Sequence, residues 1–258
     1  MKEFDRLVEI IARLRDPIDG CPWDLEQTPK SLVPNFIEEL YETVEAIEDN
    51  DPESLKEELG DLMLHVLLQC RIGEENKEFT VQESLDGISD KLISRHPHIF
   101  GDETAKDAET VLMNWERIKQ VEKKKVRDSV LDGTPLTMPA LIVSHRIQEK
   151  AASQGFDWDS IEPIYGKIVE ETEEIKEAII GGNQDKIEEE IGDLLFSVVN
   201  LARRLKVDSE SALRITINKF IRRFKYVEKT FAKNGKMMYE ATLKELDEVW
   251  DEAKRTEA

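Results

Sequence analysis

The sequence predicts an all-α protein made of two consecutive helical-bundle domains. Apolar residues recur three and four positions apart through almost the whole chain, as they do along one face of a helix. The sequence has no alternating strand pattern with hairpin turns, and only 12 of its 258 residues are glycine. An acidic motif occurs twice with the same internal spacing. We therefore expect the second half of the chain to repeat the fold of the first.

The sequence of the first half predicts five helices and one long loop. An opening amphipathic helix reaches Leu14, and the proline-rich residues 16–34 are interpreted as an ordered loop. Pro52 suits the first position of a helix, Thr80 and Glu83 form a capping-box pattern, and His96-Pro97 interrupts a helix. These signals place the later helices at residues 35–49, 52–71, 80–95 and 107–125.

The second half follows the same order. Its helices are expected at residues 141–152, 161–180, 184–205, 209–233 and 239–255. The segment Asp157-Trp158-Asp159 occupies the place of Pro22-Trp23-Asp24 in the first half. A lysine cluster and an Asp-Gly-Thr-Pro turn separate the halves, so we predict domains at residues 1–125 and 138–258 with a linker at 126–137.

Charge and cysteine content exclude several classes of protein. The formal net charge is −20, which gives nucleic acid no attractive surface. Only Cys21 and Cys70 occur, without CxxC spacing, as expected in a reducing compartment. No apolar run approaches membrane length, and the N-terminus does not resemble a signal peptide. We expect a cytoplasmic protein that binds neither nucleic acid nor a membrane.

The repeated acidic motif places carboxylates on two neighbouring helices. In each half, three glutamates on one helix are followed by two glutamates and an aspartate on the next, and a 23-residue interval separates the first acid from the last. Residues three and four apart share one side of a helix, and a short loop makes the two helices antiparallel neighbours. The acids are Glu38, Glu39, Glu42, Glu57, Glu58 and Asp61, then Glu170, Glu171, Glu174, Glu189, Glu190 and Asp193.

Such a concentration of carboxylates predicts a divalent-cation site. Like charges at this separation raise one another's pKa and push the helices apart, whereas a bound cation removes the conflict. All the candidate ligands are oxygen atoms, which favours Mg²⁺, Mn²⁺ or Ca²⁺ over zinc. A single pair would be explained more simply as solvated surface glutamates, but the recurrence favours a site. His65 corresponds to Ser197 in the repeat, so we interpret it as a satisfied or surface histidine.

Basic and aromatic residues recur together with the acidic motif. Each half has a lysine and an arginine four apart on its third long helix, and later a tryptophan followed four residues on by a lysine. With bound metal, this combination suits a ligand that has a polyphosphate and a flat base. The tryptophans are equally well explained as core aromatics. The residues are Lys91, Arg95, Trp115 and Lys119, then Lys219, Arg223, Trp250 and Lys254.

The acidic segments resemble the EExxE and ExxD elements of the MazG-type nucleoside triphosphate pyrophosphohydrolases. They read Glu-Glu-Leu-Tyr-Glu and Glu-Glu-Leu-Gly-Asp in the first half, and Glu-Glu-Thr-Glu-Glu and Glu-Glu-Ile-Gly-Asp in the second. Cys21-Pro22-Trp23-Asp24 and His96-Pro97-His98 are also similar to segments of two-domain members. The resemblance implies an all-α, Mg²⁺-dependent homodimer that hydrolyses a nucleoside triphosphate to the monophosphate and pyrophosphate.

The resemblance also implies roles for individual residues. The acids named above would hold Mg²⁺, with Mn²⁺ as a substitute, and the catalytic set is Glu38, Glu39, Glu42, Glu58, Asp61, Glu170, Glu171, Glu174, Glu190 and Asp193. The recurring basic residues and Lys167 would meet the phosphates, and the two tryptophans would pack near the base or ribose. Because Asn35 stands where the second half has Lys167, we expect the second half to be the more typical hydrolytic site.

Two further expectations concern assembly and specificity. Apolar residues cover nearly the full circumference of the helices at residues 52–71 and 184–205, which predicts dimerisation unless the two halves pack on each other. Two alternative functions also fit the residues. One is an all-α pyrophosphohydrolase restricted to a single substrate, dUTP or phosphoribosyl-ATP. The other is a non-catalytic helical interaction protein whose acidic faces bind a basic partner.

Overall fold

A computed structural model describes residues 2–108, 110, 111, 114, 115, 118 and 128–256. Within these residues every regular element is a helix, which confirms the predicted all-α class. The chain divides into two compact units, Met1–Lys125 and Val126–Ala258. The linker at residues 126–137 stays a prediction. Among the described helices, none combines the length and the apolar character needed to cross a membrane.

The first unit is organised around one long helical hairpin. Helices α3 and α4 form the hairpin, and α1 and α5 pack against α4. The described positions between Ala108 and Ile118 are also helical, in the region of the helix predicted at 107–125. The helices are α1 (Lys2–Leu14), α2 (Pro22–Glu26), α3 (Val33–Glu48), α4 (Pro52–Glu75), α5 (Val81–Arg95) and α6 (Pro97–Phe100).

The second unit is built around the equivalent hairpin. Helices α8 and α9 pair along their length, α7 and α10 pack against α9, and α11 lies against α10. A single 3₁₀ turn, Met238–Glu240, precedes the last helix. The helices are α7 (Ala140–Ala152), α8 (Glu162–Gly181), α9 (Gln184–Arg204), α10 (Ser209–Lys233) and α11 (Leu243–Thr256).

Two sequence predictions of local structure were wrong. Residues 16–34 are not all loop, because Pro22 and Pro34 occupy the first turns of α2 and α3, where proline loses no helical hydrogen bond. The last helix begins at Leu243 and not at residue 239. The backbone N–H of Glu245 donates to the Thr242 hydroxyl, and the Glu245 carboxylate accepts from the Thr242 backbone N–H. This reciprocal capping favours a helix start immediately after Thr242.

The two hairpins turn in the same way. A residue with positive φ follows the first helix of each pair, Asn50 at 54° and Gly182 at 64°. Asparagine and glycine tolerate this left-handed conformation better than other residues. The side chain of the next residue, Asp51 or Asn183, then caps the second helix by accepting from its first backbone N–H groups. These turns reverse the chain and align the helices that carry the acidic motif.

The buried core of the first unit lies towards the end of α4 and away from the acidic motif. It consists of Ile11, Leu32, Leu67, Leu68 and Ile72, with Phe4 and its helical neighbours packed around them. The residues from α1, from the segment before α3 and from α4 meet here. Burial of these side chains therefore fixes α4 at one end, while its first turns carry the carboxylates.

An arginine anchors the tryptophan-containing segment of each unit. In the first unit, buried Arg15 donates to Glu75 Oε2 over 2.7 Å and to the backbone carbonyls of Asp24 and Gln27. In the second unit, Arg203 Nη2 donates to Asp157 Oδ1 over 2.6 Å. Burial raises the pKa of Asp157, but the hydrogen bonds from Arg203 and the Trp158 backbone, together with the charges of Arg203 and Arg204, lower the pKa overall.

Candidate metal centre

The hairpin of the first unit brings three carboxylates together. Glu39 on α3 and Glu58 and Asp61 on α4 each offer an oxygen within 4.8 Å of the other two. All three residues are half-buried. They form the first cluster, which draws its oxygens from both helices of the pair, as the sequence predicted for a site between helices.

Among the described residues, no lysine or arginine balances the negative charge of the first cluster. Burial raises the pKa of Glu39, and the nearby Asp61 and Glu42 raise it further. Burial also raises the pKa of Glu58, again with Glu42 and Asp61 contributing. Within the described part of the chain, no lysine or arginine forms an ion pair with a member of the cluster. The three acids are therefore held together against their mutual repulsion.

His65 was expected to be a satisfied or surface histidine, and that expectation was wrong. The residue is buried, and its ring packs 6.0 Å from the ring of Phe36. Its Nε2 lies 3.9 Å from Glu39 Oε1, and no hydrogen-bond partner among the described residues reaches Nδ1. One helical turn after Asp61, the side chain faces α3 and not solvent, because both residues lie on the same side of α4.

The second cluster is formed by Glu171, Glu174 and Glu190. Each offers an oxygen within 4.8 Å of the other two, and Glu171 and Glu190 are 2% and 4% exposed. The first two residues lie on α8 and the third on α9. Glu171 and Glu190 correspond to Glu39 and Glu58, so both clusters share two positions. They differ in the third member, which comes from the second helix in the first cluster and from the first helix here.

Two lysines contact the second cluster. Lys167 Nζ lies 2.6 Å from Glu171 Oε1 and 3.0 Å from Glu170 Oε1. Lys186 Nζ lies 2.7 Å from Glu190 Oε1, and this hydrogen bond lowers the pKa of Glu190. Burial and the charge of Glu190 raise the pKa of Glu174. The second cluster is thus partly neutralised by the protein itself.

Lys186 is a site residue that the sequence analysis missed. It stands four residues before Glu190, the same interval that separates Lys167 from Glu171. That interval places a lysine and a glutamate on one side of a helix, where they can pair. The repeated spacing was the signal that could have identified Lys186.

The structure separates the predicted acids into an inner and an outer group. The first glutamate of each Glu-Glu pair is exposed and lies outside the clusters. This follows from helix geometry, because adjacent residues are turned apart by about 100°. Glu42 and Asp193 are also exposed. The charge of Glu42 acts on the first cluster, and Asp193 follows Glu190 by three residues on α9. The outer group is Glu38, Glu57, Glu170 and Glu189, and metal binding by these acids stays a prediction.

The inner residues of both clusters fit a hard divalent cation. Their donors are carboxylate oxygens that converge from two helices. Among the described residues, no hydrogen-bond donor reaches Oε2 of Glu171, although this atom is buried. A buried, unpaired carboxylate oxygen is costly, and a cation bound between the glutamates would satisfy it.

The recurring basic and aromatic residues lie on other helices. Trp115 meets the ring of His96 edge-on at 5.1 Å, with the guanidinium of Arg95 5.8 Å from its centre. Trp250 packs against Phe220, with ring centres 5.2 Å apart. Both tryptophans therefore have protein neighbours, as core aromatics do.

The described contacts do not test a substrate role for the remaining basic residues. Lys91 is exposed and Lys219 is half-buried, whereas Lys254 pairs with Asp251 over 2.9 Å. Lys119 lies outside the described residues. Phosphate contact by the basic residues, Arg223 among them, stays a prediction.

Comparison with known proteins identifies a domain that occurs twice in the chain. A family model described as the MazG nucleotide pyrophosphohydrolase domain matches residues 27–100 and again residues 160–228. The first match contains the α3–α4 hairpin and the second contains the α8–α9 hairpin. Each match therefore includes one carboxylate cluster.

Several curated proteins are similar over nearly the whole chain. The nucleoside triphosphate pyrophosphohydrolase of Escherichia coli strain K12 is 42% identical over 262 residues, which cover 100% of this chain and 99% of that protein. The nucleoside triphosphate pyrophosphohydrolase/pyrophosphatase MazG of Thermotoga maritima is 45% identical over 97% of this chain and 95% of its own length. The uncharacterized protein YabN of Bacillus subtilis is 43% identical over 99% of this chain, but only 52% of that protein is covered.

Proposed function

The chain belongs to the MazG nucleotide pyrophosphohydrolase family, and from this membership we propose that it hydrolyses nucleoside triphosphates, with ribose or deoxyribose, to the monophosphate and pyrophosphate. The observation that carries the proposal is the convergence of buried carboxylates in a hairpin that the family model matches. The proposed cellular role is housekeeping of the nucleotide pool. Because Cys21 and Cys70 are both free, we also propose a reducing, cytoplasmic location.

We propose Mg²⁺ as the metal, with Mn²⁺ able to replace it. In the second unit, Glu171, Glu174 and Glu190 would hold the cation together with the exposed Asp193. A metal bound here supplies a Lewis acid for the phosphate oxygens and an activated water. The all-oxygen donor set is the one that Mg²⁺ and Mn²⁺ prefer.

The basic residues of the second unit would neutralise the substrate. Lys167 adjoins the cluster directly, and we propose that it contacts the polyphosphate together with Lys219, Arg223 and Lys254. In the first unit, Lys91, Arg95 and Lys119 would have the same role. Trp250 and Trp115 would pack near the base or ribose. The first unit has Asn35 where the second unit has Lys167. We therefore favour the second unit over the first as the site of hydrolysis.

Hydrolysis products test the proposed function. We expect Mg²⁺-dependent release of pyrophosphate, and not orthophosphate, when the full chain is incubated with canonical, deoxy and damaged nucleoside triphosphates. Chelation of the metal should stop the reaction. Activity on one substrate of the panel alone would indicate a restricted enzyme. Absence of hydrolysis across the panel would contradict the proposal and favour a non-catalytic acidic interaction protein.

We also propose that the protein is a homodimer. An apolar stripe is exposed at Leu59, Met63 and Val66 on α4, and the repeat exposes Ile191, Leu195 and Val198 at the equivalent positions of α9. A second copy that covers the stripes would remove this apolar surface from water.

The molecular mass in solution tests this assembly. We expect sedimentation equilibrium to give about twice the chain mass of 29.8 kDa. Replacing Met63 and Leu195 with lysine should shift the protein towards the monomer, because a charge would have to be buried at each stripe. Replacing the exposed Lys176 with glutamate, away from the stripes, should not. A monomer at micromolar concentration in the unmodified protein would contradict the proposal.

A further inference from the structure

The two clusters differ at the position one helical turn before each inner glutamate. In the second unit, Lys167 precedes Glu171 and Lys186 precedes Glu190 by four residues. In the first unit, the residues at these two places are Asn35 and Ser54. Both lysines of the second cluster are therefore absent from the first, although the inner glutamates are present in both.

The lysines act on carboxylates that water scarcely reaches. The side chains of Glu171 and Glu190 are 3% and 5% exposed, whereas those of Lys167 and Lys186 are 37% and 52% exposed. Each ammonium group therefore supplies a positive charge from the rim of the hairpin to a buried glutamate. A partly exposed lysine can also turn out into solvent at small cost, because such ion pairs contribute little to stability.

In the part of the chain that the structure describes, the first cluster has no equivalent charge. The Ser54 hydroxyl donates to Asp51 Oδ2 over 2.8 Å, so the Ser54 side chain contributes to the N-cap of α4. Asn35 is neutral at any ordinary pH. Of the described basic residues, His65 lies close to this cluster, with Nε2 3.9 Å from Glu39 Oε1.

We propose that Lys167 and Lys186 are internal counter-ions that compete with metal for the second cluster, so that the first cluster binds a divalent cation more tightly than the second. A cation that enters the second cluster meets two glutamates whose charge the two ammonium groups already partly neutralise. At the first cluster, it meets acids that have no such partner among the described residues. The inference rests on the proposed function, because it assumes that both clusters bind the divalent metal that the proposed reaction uses.

Titration of the full chain with Mn²⁺ tests the inference without measuring turnover. Electron paramagnetic resonance reports the free ion, and we expect two classes of site whose dissociation constants differ about tenfold, because two ammonium groups offset part of the negative charge of the second cluster. Replacing Glu39 with glutamine should remove the tighter class. Replacing Glu171 with glutamine should remove the weaker class.

Exchange of the differing residues provides the matched test. The double variant Lys167→Asn, Lys186→Ser should tighten the weaker class about tenfold, to the level of the first cluster. The reverse double variant Asn35→Lys, Ser54→Lys should weaken the tighter class by a similar factor. Lys176→Asn, on the same helix but paired with exposed Glu173, should leave both classes unchanged. Far-UV circular dichroism of each variant verifies that its helices are intact.

The outcomes separate this inference from the proposed function. Equal affinities at the two clusters, tighter binding at the second, or no shift in Lys167→Asn, Lys186→Ser would overturn the inference. If pyrophosphate is still released from nucleoside triphosphates in such a case, the proposed function stands. Unequal affinities of the expected order without any hydrolysis would overturn the proposed function alone. Absence of Mn²⁺ binding at both clusters would overturn both.

Discussion

Replacing Glu171 with glutamine is expected to lower kcat/KM for pyrophosphate release at least about 100-fold, since metal-ion catalysis supplies several kcal/mol of transition-state stabilisation. Glu171 is 2% exposed, and it faces Glu174 and Glu190 within the second cluster. Glutamine keeps the shape of the side chain but removes its charge. The loss should therefore appear in turnover and metal affinity, while the helical content stays unchanged.

Two matched variants serve as comparisons for this prediction. Glu173→Gln removes the same charge two residues away, at an exposed side chain that pairs with Lys176 outside the cluster, and should keep nearly full activity. Glu39→Gln makes the equivalent change in the first cluster. If hydrolysis is confined to the second unit, Glu39→Gln should lower activity far less than Glu171→Gln. Unchanged turnover in both cluster variants would contradict the assignment of the metal site.

Replacing Arg15 with alanine is expected to destabilise the first unit by about 3 kcal/mol, because it breaks a partly buried ion pair and leaves Glu75 with the hydrogen bond from Arg71. Arg15 is 6% exposed and donates to both Glu75 oxygens. It also holds the backbone carbonyls of Asp24 and Gln27. Thermal unfolding should show the transition of this unit lowered by about 10 °C.

A surface arginine and the pH dependence provide the controls. Arg13→Ala, at an exposed position on the same helix, should change stability by less than about 0.5 kcal/mol. Burial raises the pKa of Glu75, but the hydrogen bonds and the positive charges of Arg15 and Arg71 together lower the pKa overall. A carboxyl whose pKa is lowered by folding stabilises the protein above its unfolded pKa, and this contribution disappears as the pH falls through the folded pKa. The difference between Arg15→Ala and the unmodified chain should accordingly shrink below about pH 4. A difference independent of pH would indicate lost packing and not a lost ion pair.

Helix positions could be predicted because they depend on local pattern. The expected and observed bounds agree for residues 209–233 and differ by one residue at each end of α8. The short helix α2 was not predicted, since five residues carry too little periodicity to distinguish a helix from a proline-rich loop. The spacing of the acids likewise predicted a hairpin, but it did not say which acids face inwards. That choice depends on the rotation of each helix, which is set by apolar packing elsewhere.

Features confined to one half were the hardest to predict. His65 and Lys186 have Ser197 and Ser54 at the equivalent places, so an argument from recurrence gives them little weight. Each nevertheless contacts an inner glutamate. Comparison of the two halves identifies the residues that both sites share. It does not identify residues that are present in one half alone.

The hairpin turns at Asn50 and Gly182 have a consequence for the order of folding. Because the α3–α4 turn joins the two helices directly, all acids of the first motif lie within the 24 residues from Glu38 to Asp61. Contacts between residues so close in sequence form quickly, since little chain entropy is lost when the ends meet. The carboxylates can therefore assemble as soon as one hairpin has left the ribosome, long before the last helix of the chain is made.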